Sequence, residues 1–211
     1  MPAARELLLD AAFEALGARP WNGVRMVDVA AAAGVSRQTL YNEFGSKNGL
    51  ARALVRRETE AFLAGVERAL AEAADDAGAG ERCAAAAGWI LRTARANPLV
   101  RAALTGCRGE RLPAAAAPAV PAPRTPAGPR VPRGIPTPGA LAVAVRDRAV
   151  RAVTGGPGVR DAEAALWACE TAVRLTLSYV IAPAASDEDA TRQIARLVRA
   201  LMGDDTADGV T

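Results

Sequence analysis

A chain of 211 residues with 51% apolar content is long enough for one large helical domain, or for a small domain joined to a larger one. Its net charge of +3 and pI near 9.1 suit a nucleic-acid partner without demanding one, and the absence of histidine excludes His-based triads, His general bases and His-ligated metals. Cys83, Cys107 and Cys169 show no CxxC spacing, so a metal site is not expected; they read as reduced thiols packed as small apolar groups, with Arg108 and Arg111 beside Cys107 leaving a redox-sensing role open.

The first 70 residues carry nine cations and eight acids, so any DNA contact there must come from placement rather than bulk charge. Residues 3–17 show the apolar spacing of an amphipathic helix through Leu9, Ala12, Phe13 and Leu16. Glu6, Asp10 and Glu14 run through this stretch, unlike a signal peptide. No uninterrupted apolar run approaches the ~20 residues that span a bilayer, so a cytoplasmic protein with no membrane partner is expected. Gly17, Pro20 and Gly23 interrupt the helix. A short helix is predicted over 26–33, a tight turn at Gly34 and Val35, and a second short helix over 37–44 with Ser36 as its cap. Gly45 and Ser46 lead into a long helix from Lys47 to about Glu72.

After a loop at 75–81, helices are predicted over 82–96 and 98–106, divided at Asn97-Pro98 because the residue before proline avoids the helical region. Nine prolines fall within residues 113–138, which predicts an extended, poorly ordered loop. Its Arg124, Arg130 and Arg133 suit either a solvated insertion or contact with DNA or an acidic partner. Further helices are predicted over 139–153, 160–182 and 187–202, the last capped by Ser186 with Asp187, Glu188 and Asp189 in its first turn. The expected fold is all-α.

Two short helices joined by a glycine-containing turn, over 27–50, form a helix-turn-helix pattern. Val29, Ala30, Val35, Leu40 and Phe44 supply its small core. On a wheel of 100° per residue, Gln38 and Asn42 lie about 160° from Leu40, with Thr39 and Tyr41 flanking them at about 100°. Gln and Asn amides can bond bidentately to adenine in the major groove. Arg37 leads this face, Tyr41 can donate to phosphate, and Lys47 sits on the first turn of the next helix. An ordinary short helix with a solvated polar face would carry the same pattern, so the wheel by itself leaves both readings open.

The stretch from Arg5 to Leu50 closely resembles the N-terminal domain of the TetR family of transcriptional regulators. The resemblance is carried by Ala11, Ala12 and Phe13, by Asp28, Val29, Ala30, Gly34, Val35 and Ser36, and by Leu40, Tyr41, Phe44, Lys47 and Leu50. It implies a DNA-binding domain over 1–50 and a helical regulatory and dimerisation domain over 51–211. It further implies DNA contacts at Arg37, Gln38, Thr39, Tyr41 and Asn42, with a phosphate-binding lysine at Lys47. Val24, Arg25 and Met26 stand where family members often carry a hydroxyl residue, and Arg25 can take over that phosphate contact. Glu43 replaces a frequent histidine and is expected to turn inward or pair with an arginine.

The resemblance also implies a homodimer through the last two long helices, a palindromic double-stranded DNA operator, and release from it by a small-molecule effector. Trp89, Leu104, Cys107, Trp167 and Tyr179 are the candidate pocket residues, with plain core packing as the competing reading. Their apolar character suggests a hydrophobic effector, and the segment LTGCRGERL resembles members responding to fatty-acyl or other lipophilic compounds. The sign of regulation, repression or activation, stays open in the residues. No catalytic constellation, glycine-rich phosphate loop or cofactor motif points to an enzyme. A purely scaffolding helical protein is the remaining alternative, separable by salt-dependent, sequence-dependent DNA binding.

Overall fold

The computed structural model describes residues 2–74, 77–107, 112, 136–155 and 161–203. Among these residues it is built from helices: α1 (Pro2–Ala18), a 3-10 turn (Trp21–Gly23), α2 (Met26–Ala32), α3 (Arg37–Phe44), α4 (Lys47–Ala71), α5 (Ala79–Ala96), α6 (Pro98–Thr105), α7 (Pro138–Thr154), α8 (Ala162–Ile181) and α9 (Asp187–Met202). Side-chain caps set many of these starts. Ser36, Asn97, Thr137, Asp161 and Ser186 each accept a backbone N–H from the first turn of the helix that follows. Asn97 also begins α6 one residue before Pro98, where the missing N–H costs nothing.

α5 starts three residues earlier than the sequence pattern predicts. Its N-cap, Gly78, offers no side-chain bond; packing replaces capping, because Ala79 and Gly80 are buried and a Cβ at Gly80 would lie 2.8 Å from the Ala195 carbonyl of α9. The helix surrounding Pro138 likewise begins where a poorly ordered loop was expected to end, since Pro138 takes the first helical position behind the Thr137 cap. The remainder of the proline-rich segment, 113–135, lies outside the described residues.

The helices belong to two units, with α4 running through both: α1 to α3 with α4 as far as Glu58, and α4 from Thr59 with α5 to α9. The first gathers Leu8, Leu9, Ala12, Trp21, Val29, Leu40, Leu50 and Leu54 in its interior. Within it Arg57 of α4 reaches Asp10 of α1 at 2.7 Å and Glu58 at 2.9 Å.

The second unit packs Phe62, Val66 and Leu70 of α4 with Ile90, Leu91, Val145, Ala168, Val173, Ile194 and Val198. Its small residues allow close approach. The Trp89 indole lies in the groove left by Gly65, where a Cβ would fall 2.1 Å from Cζ2, and its Nε1 donates to the Phe62 carbonyl at 3.3 Å. Cys83 and Cys169 are buried free thiols; contact with Cys169 and burial hold the Cys83 thiol well above its ordinary pKa. One described helix, α8, is long and apolar enough by length and composition to cross a bilayer. It carries buried Ala165, Ala168, Ala172 and Val180 of the core cluster together with Glu163, Glu170 and Arg174, the character of a core helix.

Candidate nucleic-acid interface

α2 and α3 meet through a turn that only a left-handed residue makes cheaply: Gly34 has φ +67°. The Val35 amide then donates back to the Ala30 carbonyl at 3.0 Å, closing α2. Ser36 Oγ accepts from the Thr39 amide at 3.0 Å and opens α3. Val29, Ala30, Leu40 and Phe44 are buried at the junction, while Val35 is half-buried. Leu40 therefore points inward as the wheel requires, and the opposite face of α3 is held away from the protein.

That face carries Gln38 and Asn42, flanked by Tyr41, with Arg37 at the leading end of the helix, all four exposed. Gln38 Nε2 donates to Asn42 Oδ1 at 2.8 Å across one helical turn. Thr39 is half-buried, and its hydroxyl lies 2.9 Å from Ser36 Oγ, engaged at the cap. Glu43 pairs with Arg5 of α1 at 3.6 Å, and the Arg5 guanidinium also stacks 4.8 Å from the Phe44 ring. The carboxylate of α3 is thus occupied by its own unit.

Two further cations flank the helix. Arg25, at the N-cap of α2, makes a bidentate pair with Asp28, both bonds 2.9 Å, and Arg19 reaches the same carboxylate at 3.4 Å. Hydrogen bonding to Arg25 lowers the Asp28 pKa, and the same bond raises that of Arg25. Lys47, at the start of α4, donates to the Asn22 carbonyl at 3.1 Å and lies 5.5 Å from the Trp21 ring centroid. Partial burial lowers its pKa. Sequence reasoning did not single out Arg5, Trp21, Asn22 or Asp28 as partners of these groups. Trp21 and Asn22 sit between Pro20 and Gly23 in a segment without periodicity, so only the folded turn brings them to Lys47.

The five residues proposed for an effector pocket differ in burial. Leu104 is a core residue, with Trp89 and Tyr179 packed against that core. Tyr179 donates its hydroxyl to Gln193 at 2.7 Å, while Trp89 carries Arg68 over its ring at 5.6 Å. Cys107 is exposed, and Trp167 is 64% exposed on α8. Two clefts in the second unit have other linings. One of about 410 Å³ is bordered by Ala69, Glu72, Gly88, Arg92 and Thr191, and one of about 360 Å³ by Glu67, Leu70, Arg82, Arg148 and Arg151.

Residues 8–54 match the family model of bacterial regulatory proteins, tetR family. The HTH-type transcriptional regulator AlkX of Mycobacterium tuberculosis is 32% identical over 197 residues, covering 92% of this chain and 82% of that protein. Among solved structures, the TetR family repressor AlkX from a Dietzia strain, implicated in biodegradation of n-alkanes, aligns with a TM-score of 0.57 at 20% identity, covering 95% of this chain and 98% of that one. A tetR-family transcriptional regulator from Streptomyces coelicolor aligns with a TM-score of 0.57 at 18% identity, covering 95% of this chain and 83% of that one.

Proposed function

The chain belongs to the TetR family of bacterial transcriptional regulators, and from that membership we propose that it is a repressor, a homodimer that holds a palindromic operator until a small hydrophobic effector releases it. Members of this family are regulators rather than enzymes; they bind DNA as homodimers and respond to small molecules. The observation that carries the reading for this chain is the exposed face of α3, on which Gln38, Tyr41 and Asn42 stand together behind the leading Arg37 while Glu43 is drawn to Arg5. In this proposal Gln38 and Asn42 read base edges, Arg37 takes a guanine or a phosphate, and Tyr41, Thr39, Arg25 and Lys47 fix the register on the backbone.

Residues 1–50 serve as the DNA-binding domain and 51–211 as the regulatory and dimerisation domain. Leu166, Trp167 and Ile181 are 44%, 64% and 66% exposed and fall within about 100° of the α8 circumference. They share that arc with Glu170 and Arg174, so a partner surface there combines apolar and charged contacts, and in this proposal Trp167 serves the dimer rather than the effector. A two-fold pair would set its recognition helices about one DNA turn apart. Trp89, Leu104 and Tyr179, in the apolar second unit, remain the residues proposed to meet the effector. Effector binding shifts α4, the helix common to both units, and must favour the released state for the operator to be freed.

Gel-shift titration against duplexes selected from a random pool tests the proposal. Binding that depends on sequence, shows two-fold symmetry in the bound sites and weakens steeply with added salt supports it. Indifference to every duplex at low ionic strength rejects it.

A further inference from the structure

Gln38 and Asn42 are engaged with each other, and that changes what they can read. We infer that the two amides act as a single recognition unit which selects one adenine in each half-site, rather than as two independent base readers; the inference rests on the DNA-binding reading of α3.

Each amide owns one carbonyl oxygen and one NH2 group. The bond from Gln38 Nε2 to Asn42 Oδ1, 2.8 Å long, engages one of the two Gln38 N–H donors and one of the two Asn42 oxygen lone pairs. The Gln38 carbonyl and the Asn42 NH2 are left unengaged, an acceptor and a donor on adjacent turns of an exposed face, while the second Gln38 N–H and the second Asn42 lone pair stay beside the mutual bond. The complement is the same whichever amide donates, because a mutual bond always consumes one NH2 hydrogen and one oxygen lone pair. Both side chains lie opposite the buried Leu40, so the free pair faces away from the protein.

Base edges in the major groove sort sharply against such a pair. Adenine places an N6 donor beside an N7 acceptor on a single base. Guanine offers two acceptors, thymine an acceptor beside a methyl group, and cytosine one donor. At adenine the unengaged carbonyl and NH2 are both satisfied; at guanine the remaining N–H groups could be, but the Gln38 carbonyl would meet an acceptor. The mutual bond also fixes the two side chains before DNA arrives, so less rotamer freedom is lost on binding.

The inference predicts non-additivity. Selection of bound duplexes from a randomised pool is run with the unaltered chain, Gln38→Ala, Asn42→Ala and the double variant, with a thermal melt confirming that each folds. The expected result is one A·T position per half-site whose preference, about 5- to 150-fold, is lost equally in all three variants. Gln38→Glu supplies a gain of function: a carboxylate would accept from the Asn42 NH2 and leave two acceptors outward, moving the preference at that position from adenine toward cytosine. Two single variants that relax different positions, effects that multiply in the double variant, or a shared position that is not adenine would each overturn the inference. If the variants behave in that way while the unaltered chain still selects a palindrome, the regulator reading survives. If the unaltered chain enriches no sequence, that reading fails and takes the inference with it.

Discussion

Lys47 donates to the backbone carbonyl of Asn22, 25 positions earlier, at 3.1 Å, and its ammonium lies 5.5 Å from the Trp21 ring centroid. The first turn of α4 is thereby tied to the turn between α1 and α2. A lysine held in this way brings a fixed charge rather than a swinging one, and it retains donors for a phosphate oxygen. Lys47→Ala is expected to weaken binding to all duplexes by a similar factor and to reduce the slope of log K against log salt by about 1. Titrations of matched and mismatched duplexes at several salt concentrations measure both. A loss confined to the preferred sequence would contradict the backbone role.

Asp28 restrains the other flanking cation. It accepts two bonds from Arg25 at 2.9 Å, and the hydrogen bond from Arg25 keeps its carboxyl ionised below the ordinary range. Asp28→Asn removes a negative charge and loosens Arg25. Non-specific affinity for duplex DNA should rise and its salt dependence steepen. The acid also sits in the first turn of α2, so a small helix-dipole stabilisation is lost in the same variant. Unchanged affinity for random duplexes would show that Arg25 does not approach the DNA.

Trp89 depends on the absence of a side chain at Gly65. A methyl group there would stand 2.1 Å from Cζ2 and 2.2 Å from Cε2 of the indole. Gly65→Ala is expected to destabilise the protein by on the order of 1–3 kcal/mol. Combining it with Trp89→Leu removes the collision, so the double variant should be more stable than the sum of the two single effects implies. Chemical denaturation of the four proteins gives the coupling directly, and simple additivity would mean that α4 and α5 move apart freely.

The helical class, most helix boundaries and the orientation of α3 were legible in the sequence because each rests on a local rule. Ser36 and Ser186 cap where their residue types suggest, and Leu40 is buried with Gln38 and Asn42 exposed on the far side. What was not legible depends on partners distant in the chain. The early start of α5 comes from Gly80 against α9, and the occupation of Glu43 comes from Arg5. Trp167 follows the same logic. Its size and apolarity suggested an interior, but burial depends on the arc of α8 it occupies, and that arc faces outward.

The exposed arc on α8 leads to a prediction about assembly. Trp167→Glu puts a charge beside Leu166, on the arc that carries Ile181 about 21 Å further along the helix; the two are already 44% and 66% exposed in the single chain. The substitution should leave the monomer folded, because Trp167 itself is 64% exposed. It should shift the mass measured by light scattering from dimer to monomer, and operator affinity should fall together with the lost symmetry. A variant that stays dimeric at micromolar concentration would move the interface off this arc.

Arg95 and Asp187 join α5 to α9 through two bonds, one of 2.8 Å. Hydrogen bonding to Arg95 lowers the Asp187 pKa, so folding favours its ionised form. The stabilisation is therefore complete above the ordinary carboxylate range and disappears as pH falls through the lowered folded-state value. Solvent screening keeps it small, since the Arg95 and Asp187 side chains are 60% and 29% exposed. With Asp187 also in the first turn of α9, Asp187→Asn should cost roughly 0.5–1 kcal/mol at neutral pH. Thermal melts of both proteins should differ at pH 7 and converge toward pH 3, because protonated Asp187 and Asn carry the same charge. A gap that persists unchanged through acid would assign the effect to packing at the α9 terminus rather than to the ion pair.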